Sequence, residues 1–92
     1  MNFQNGTDMK WQEIRGKYPH QWLIVEAIDA HTKSGNRIVE QFSVVNTYVD
    51  SIKAMESYTL FHQASPDREL YVLSTDKEIV EIYERRWLGI RR

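Results

Sequence analysis

The chain has 92 residues, of which 41% are hydrophobic, including three tryptophans, five tyrosines and three phenylalanines. This composition predicts one compact domain and argues against intrinsic disorder. There are no cysteines, which excludes disulfides, thiol nucleophiles and cysteine-ligated zinc. The formal net charge is -1, so the chain lacks the excess of basic residues that nucleic-acid-binding domains carry.

The N-terminal segment contains no apolar core of a signal peptide. No apolar run approaches the roughly 20 residues that a membrane span needs. Small secreted domains often rely on disulfides, and this chain has no cysteine, so the sequence predicts a cytoplasmic protein. No membrane contact is predicted. Residues 1–8 are predicted to be a flexible tail and residues 9–92 a single domain, with Met9 as an alternative start.

A short helix is predicted over about residues 9–17. Trp11, Ile14 and Tyr18 recur at helical spacing and therefore share one face. Asp8 is the predicted N-cap, because a side-chain oxygen at that position accepts a free backbone N–H of the first turn.

Two predicted strands follow and form an antiparallel hairpin. The first, HQWLIVEAIDAH at residues 20–31, is apolar on both faces, which is typical of a central strand. The turn residues TKSGN at 32–36 connect it to the second strand, RIVEQFSVVNTYV at 37–49.

The second predicted helix, SIKAMESYTLFHQA, covers residues 51–64 and has Asp50 or Ser51 as its N-cap. A third strand, RELYVLST, is predicted at residues 68–75. The helix has a predicted inner stripe at helical spacing, made of Ala54, Met55, Tyr58, Phe61 and His62.

Residues 78–91 are compatible with two structures. In a helix, Thr75 and Glu78 form a capping box. In a strand, residues 75–77 form a hairpin turn after the third strand. The strand is favoured because β-branched and aromatic residues dominate and Gly89 interrupts a helix. Its predicted core face is Val80, Ile82, Leu88 and Ile90, and its other face is Glu81, Tyr83, Arg85, Trp87 and Arg91.

The resulting order, α-β-β-α-β-β, predicts an α+β fold with an antiparallel four-stranded sheet and the longer helix packed on one face. The N-terminal helix is expected at the edge of the sheet, which leaves the other face partly open. Aromatic side chains on an open face favour self-association or a protein partner. The candidate interaction surface comprises Trp22, Tyr71, Arg85, Trp87 and Arg91.

Three histidines are the obvious catalytic or metal-binding candidates: His20, His31 and His62. No two of them have the spacing that presents two ligands from one element, so no metal site is predicted. His62 is expected to be partly buried with a satisfied hydrogen bond. No glycine-rich phosphate loop or nucleophile motif occurs, and no cofactor is predicted.

Glu26 interrupts an otherwise apolar strand. If its carboxylate is buried, it needs a cationic partner such as Arg37 or Arg68. The alternative is that Glu26 faces solvent or a cross-strand cation.

Three hypotheses about function follow, and the first is favoured. The chain is a non-enzymatic protein-interaction module or homodimer. Alternatively, it binds nucleic acid, with phosphate contacts and base stacking from the C-terminal segment. The third possibility is a small enzyme that uses Glu26 or a histidine as general base. The residues of the nucleic-acid hypothesis are Arg85, Arg86, Trp87, Arg91 and Arg92.

Three segments, YPHQWLIVEAIDAH, DRELYVLST and ERRWLGIRR, resemble a family of small uncharacterised bacterial proteins, mostly from Firmicutes. The resemblance covers about residues 9–92 and implies a single cytoplasmic domain. It implies no activity and supplies no catalytic residues. Relatives often have His-Thr where this chain has Ser74-Thr75, which further disfavours an enzyme.

Overall fold

The computed structural model describes residues 8–83. Its elements are β1 (Asp8–Met9), α1 (Trp11–Lys17), β2 (Trp22–Lys33), β3 (Asn36–Tyr48), α2 (Ser51–Ala64), β4 (Leu70–Ser74) and β5 (Ile82–Tyr83). The strands form one antiparallel sheet in the order β1-β3-β2-β4, and β5 also pairs with β3. The predicted α+β fold with an antiparallel sheet is therefore confirmed.

The long β2–β3 hairpin is the centre of the sheet, and β2 is the central strand that its apolar pattern predicted. Its two-residue turn consists of Ser34 and Gly35, which have φ angles of 54° and 81°. Two residues with positive φ are the pattern of a type I′ turn, whose twist matches that of the flanking strands. Further along, Ile24 pairs with Asn46 and Val25 with Val44, so β3 contains a bulge.

One face of the sheet carries the main core. Leu23, Val25 and Phe42 are buried there against Trp11 and Ile14 of α1. The helical face predicted for α1 is thus confirmed, with Tyr18 packed at its margin. The predicted position of the helix is wrong, because α1 covers a sheet face instead of lying at the edge. Trp11 and Ile14 need an apolar surface to become buried, and the sheet face with Leu23, Val25 and Phe42 provides it.

The start of α1 also differs from the prediction. Asp8 is not the N-cap, because it lies in β1 and pairs with Ser43 of β3. The helix begins at Trp11, after Lys10. The Glu13 carboxylate accepts a hydrogen bond of 2.9 Å from the Lys10 backbone N–H, which satisfies one free donor of the first turn.

The opposite face of the sheet is covered by α2, whose predicted bounds are confirmed. The Asp50 carboxylate accepts the Lys53 N–H at 2.8 Å, as expected of an N-cap. Ala54 is buried beneath the helix. The predicted inner stripe was too wide, because Met55 is 49% exposed and His62 is exposed as well.

The segment after β4 does not form the predicted hairpin. Residues 75–77 include a turn, but the following strand β5 pairs with β3 through Arg37–Ile82 and Asn36–Tyr83. The chain therefore crosses the sheet face that carries α1, and Val80 packs against the core on the way. The other predicted core residues of this segment, Leu88 and Ile90, lie outside the described residues.

Candidate interaction surface

The structure does not bring the predicted surface residues together. Trp22 pairs with Ser74 and Tyr71 pairs with Val25, and successive residues of a strand point to opposite faces. Trp22 and Tyr71 therefore lie on opposite faces of the sheet, and both are half-buried. The remaining members, Arg85, Trp87 and Arg91, lie outside the described residues.

The three histidines are spread over the surface. The His20 Nδ1 atom lies 2.8 Å from the Asp76 carboxylate, and both side chains are exposed. His31 is exposed on β2. His62 stacks on Tyr58 with ring centroids 5.7 Å apart, so the expectation of a partly buried His62 was wrong. Within residues 8–83, no three His, Asp or Glu side chains group as metal ligands.

Glu26 is half-buried and is bound by Arg68, one of the two cationic partners expected for a buried carboxylate at this position. Arg68 donates a hydrogen bond of 2.8 Å to its carboxylate, from the turn that precedes β4. The carboxylate beside the guanidinium raises the pKa of Arg68. Both groups are partly exposed, and the pair ties the start of β4 to the central strand.

A second ion pair also anchors the start of β4. The Glu69 carboxylate accepts two hydrogen bonds of 2.8 Å from Arg37 and one of 2.6 Å from the Tyr71 hydroxyl. The Arg37 hydrogen bonds hold the pKa of Glu69 below its ordinary value. Burial, together with the bond to Glu69, raises the pKa of Tyr71.

This network predicts a specific loss of stability in acid. A carboxyl whose pKa is lowered by folding stabilises the folded state above its unfolded pKa of about 4.5. That contribution is lost as the pH falls through the folded pKa. We expect Glu69→Gln to reduce the free energy of unfolding by about 1 kcal/mol at pH 7, with a smaller difference below pH 4.

Urea unfolding at several pH values measures this effect. Glu56→Gln is the matched control, because Glu56 is exposed on α2. Equal effects of the two substitutions at pH 7, or an effect of Glu69→Gln that does not vary with pH, would contradict the prediction.

The turn after β4 is held from within by Thr75, the buried polar residue of the described chain at 3% exposure. Its hydroxyl donates to the Tyr18 carbonyl at 2.7 Å and accepts the Gln21 N–H at 3.0 Å. Arg15 donates to the Thr75 carbonyl, and Trp11 donates to the Lys77 carbonyl. The residues that follow β4 are thereby fixed to α1 and directed away from the outer edge of β4.

The outer edge of β4 is open within residues 8–83, where no strand pairs with it. On the inner side, the Glu69 carbonyl accepts from Ala27 and the Thr75 N–H donates to Gln21. Because bonds alternate along an antiparallel ladder, the backbone groups of Leu70, Val72 and Ser74 point outward. The Ser74 carbonyl accepts the Lys77 N–H, and the other outward groups form the free edge.

Exposed apolar side chains flank this free edge on both sides of the sheet. On the α1 side, a cleft of about 490 Å³ runs along β4 and includes Leu73, Ile79 and Val80. Ile79 is 69% exposed. On the other side lies α2, which contacts β4, and Met55 is exposed on the flank of this helix away from Leu60 and β3. The candidate interaction surface of the structure is thus the β4 edge, meaning Leu70–Ser74 with Ile79 and Met55.

The sequence pattern predicted Tyr71 as a surface residue but did not predict the strand edge around it. A signal was present, since LYVLS has no Lys or Pro, the residues that commonly protect edge strands. The position of β4 at the edge could not be inferred, because it depends on β5 pairing with β3 and not with β4.

Comparison with known proteins shows a similarity to a much longer bacterial protein. The chain is 29% identical over 84 residues to the Botulinum-like toxin eBoNT/J of Enterococcus sp. (strain 3G1_DIV0629). The aligned region is 89% of this chain but 6% of the toxin. No protein-family profile and no solved structure matches the chain. Within residues 8–83, neither helix has the length and apolar character needed to cross a membrane.

Proposed function

We propose that this chain is a non-enzymatic protein-interaction module that adds an extended, apolar strand of a second protein chain to the β4 edge. The observation that supports this proposal is that no strand pairs with the outer edge of β4 within residues 8–83. Leu70 and Val72 present both N–H and carbonyl groups outward, and Ser74 presents its N–H. Strand addition provides hydrogen-bond partners for these groups, while the neighbouring side chains select the sequence that binds.

The contrast between the two edges of the sheet supports this proposal. At the opposite edge, β3 is partly covered by β1 and β5. At β4, by contrast, the strand has no bulge in its pairing with β2. Natural proteins usually protect such edges, so an apolar edge that lacks these protections favours a binding role.

The similarity to the toxin agrees with the proposal that this chain is a module. Its similarity to this chain occupies a small part of a much longer protein, although almost the whole of this chain is aligned. A domain that joins other chains through one strand edge can serve alone or within a larger protein. The toxin's name gives no residue role to this chain.

The two alternative hypotheses have less support. Nucleic-acid binding depends on Arg85, Trp87 and their neighbours, which lie outside the described residues. The enzyme hypothesis used Glu26 or a histidine as general base, but the Glu26 carboxylate is bound by Arg68 and the three histidines are exposed at separate places. Both stay hypotheses, and neither is favoured by an observation within residues 8–83.

Site-specific photo-crosslinking in the native host tests the proposal. A benzophenone side chain replaces Ile79, which is exposed beside the edge. We expect adducts that survive Val72→Ala and are at least tenfold weaker in Val72→Pro, because proline removes the central outward N–H. Mass spectrometry identifies the crosslinked peptide in each adduct.

Val72→Ala is the matched control, since it shortens the same side chain and keeps the N–H. Circular dichroism verifies that the proline variant is folded, and Ser74→Pro serves as a second variant with a different lost N–H. Adducts of equal yield in the alanine and proline variants, or no adducts in any variant, contradict the proposal.

A further inference from the structure

We infer that the strand added to the β4 edge is β4 of a second copy of the chain, paired antiparallel about Val72. This inference rests on the proposed function and names its partner. In this arrangement Val72 lies opposite Val72 of the second copy, and Leu70 lies opposite Ser74. The two sheets then form one continuous sheet, with a two-fold axis perpendicular to it.

The backbone of β4 fits this register. Hydrogen-bonded pairs of an antiparallel ladder require outward-facing residues on both strands, and Leu70, Val72 and Ser74 face outward. A shift by one residue places outward residues opposite inward ones and removes the bonds. A register centred on Val72 also uses all of Leu70–Ser74, which larger shifts do not.

The charges next to β4 also fit a second copy. Asp67 and Arg68 precede the strand, while Asp76 and Lys77 follow it. In the antiparallel register, the leading end of one copy meets the trailing end of the other. The antiparallel register thus brings the Asp67 end of one strand near the Lys77 end of the other, whereas a parallel register places Asp67 next to Asp67 of the second copy. Arg68 and Asp76 keep their own partners, Glu26 and His20.

The helix α2 contributes a second contact area. Leu60, Ser57 and Ala64 form a cleft with Asn46 of β3, so this flank of α2 faces β3. At 100° per residue, Met55 lies about 140° around the helix from Leu60, on the flank toward β4.

A two-fold axis through Val72 places both α2 helices on the same sheet face, beside the axis. The exposed side chain of Met55 then becomes buried between the copies. This contact is needed, because a five-residue strand alone falls short of the roughly 1,000 Å² that a specific interface buries.

Disulfide trapping tests the register, since the chain has no native cysteine. Residues that face each other in a hydrogen-bonded pair have Cα atoms about 5.5 Å apart, within the range of a disulfide. We expect purified Val72→Cys to oxidise to a covalent dimer. Ser74→Cys is the matched control, because its two copies lie about 14 Å apart in this register and stay uncrosslinked.

Analytical ultracentrifugation tests the helix contact without a crosslink. We expect the wild-type chain to sediment at twice its monomer mass and Met55→Glu to raise the dissociation constant at least tenfold. Leu60→Glu is the matched control, since Leu60 is 67% exposed on the other flank of α2 and its substitution leaves the dimer intact.

Three results overturn the inference: a monomer at about 100 μM, equal crosslinking of Val72→Cys and Ser74→Cys, or equal effects of the two glutamate variants. A monomer whose Ile79 adduct in cells contains a different protein, and is lost in Val72→Pro, overturns the second copy but supports the proposed function. If the chain forms no dimer and Ile79 forms no adduct that depends on the Val72 N–H, the β4 edge is not a binding surface.

Discussion

Replacement of Phe42 with alanine is expected to lower the free energy of unfolding by about 3–5 kcal/mol. Phe42 is 1% exposed and lies at the centre of the core that joins α1 to the sheet. The centroid of its ring lies 5.8 Å from the centroid of the Trp11 ring, and the two ring planes are inclined by 59°. Alanine leaves a cavity between these elements and removes the aromatic contact, so both transfer and cavity contributions are lost.

Urea unfolding followed by tryptophan fluorescence measures this loss. Phe42→Leu is a milder variant, expected to cost less than about 1.5 kcal/mol, and it remains informative if the alanine variant does not fold. Leu60→Ala is the exposed control, with an expected change within about 0.5 kcal/mol. A change below 1 kcal/mol for Phe42→Ala would show that α1 does not pack on the sheet as described.

Replacement of Thr75 with valine is expected to cost about 1–3 kcal/mol, although the two side chains have nearly the same shape. The valine removes the hydroxyl that donates to Tyr18 and accepts from Gln21. Both backbone groups then lack this partner in a part-buried region, and such unpaired groups are costly.

Thermal unfolding monitored by circular dichroism measures the effect of this substitution. Thr59→Val is the matched control, because the exposed Thr59 hydroxyl bonds only within its own helix, to the Met55 carbonyl. We expect the control to change stability by less than about 0.5 kcal/mol. Similar midpoints for the two valine variants would mean that the Thr75 hydroxyl does not hold the turn after β4.

Local signals predicted the elements that depend on neighbouring residues. The helix α2 was predicted with its bounds because Asp50 caps it and apolar residues repeat at helical spacing. The β2–β3 hairpin followed from two apolar strands around a turn that contains Gly35. The start of α1 was misplaced, since Asp8 has the chemistry of an N-cap and is instead used by a short strand.

The path after β4 could not be predicted, because distant groups determine it. Arg15 and Trp11 donate to the backbone carbonyls of Thr75 and Lys77, which are 60 and 66 residues away in the chain. These bonds direct the chain across the sheet, where a hairpin would otherwise have covered β4. The edge that is open within residues 8–83 is therefore a consequence of tertiary contacts that leave no periodic pattern in the sequence.

The candidate surface was predicted only in part for the same reason. Tyr71 belongs to β4, but Trp22 was grouped with it before the register was known, and the register places the two on opposite faces. For Glu26, a partner such as Arg37 or Arg68 was expected only if the carboxylate was buried, and the alternative was a solvent-facing position. The carboxylate is half-buried and accepts a hydrogen bond from Arg68.

Strand addition at the β4 edge is tested most directly by the photo-crosslink from Ile79 in three otherwise identical chains. We expect strong adducts for the chain with Val72 and for Val72→Ala, and at least a tenfold lower yield for a folded Val72→Pro chain. Adducts that persist undiminished in the folded proline variant would show that association does not use the backbone of β4.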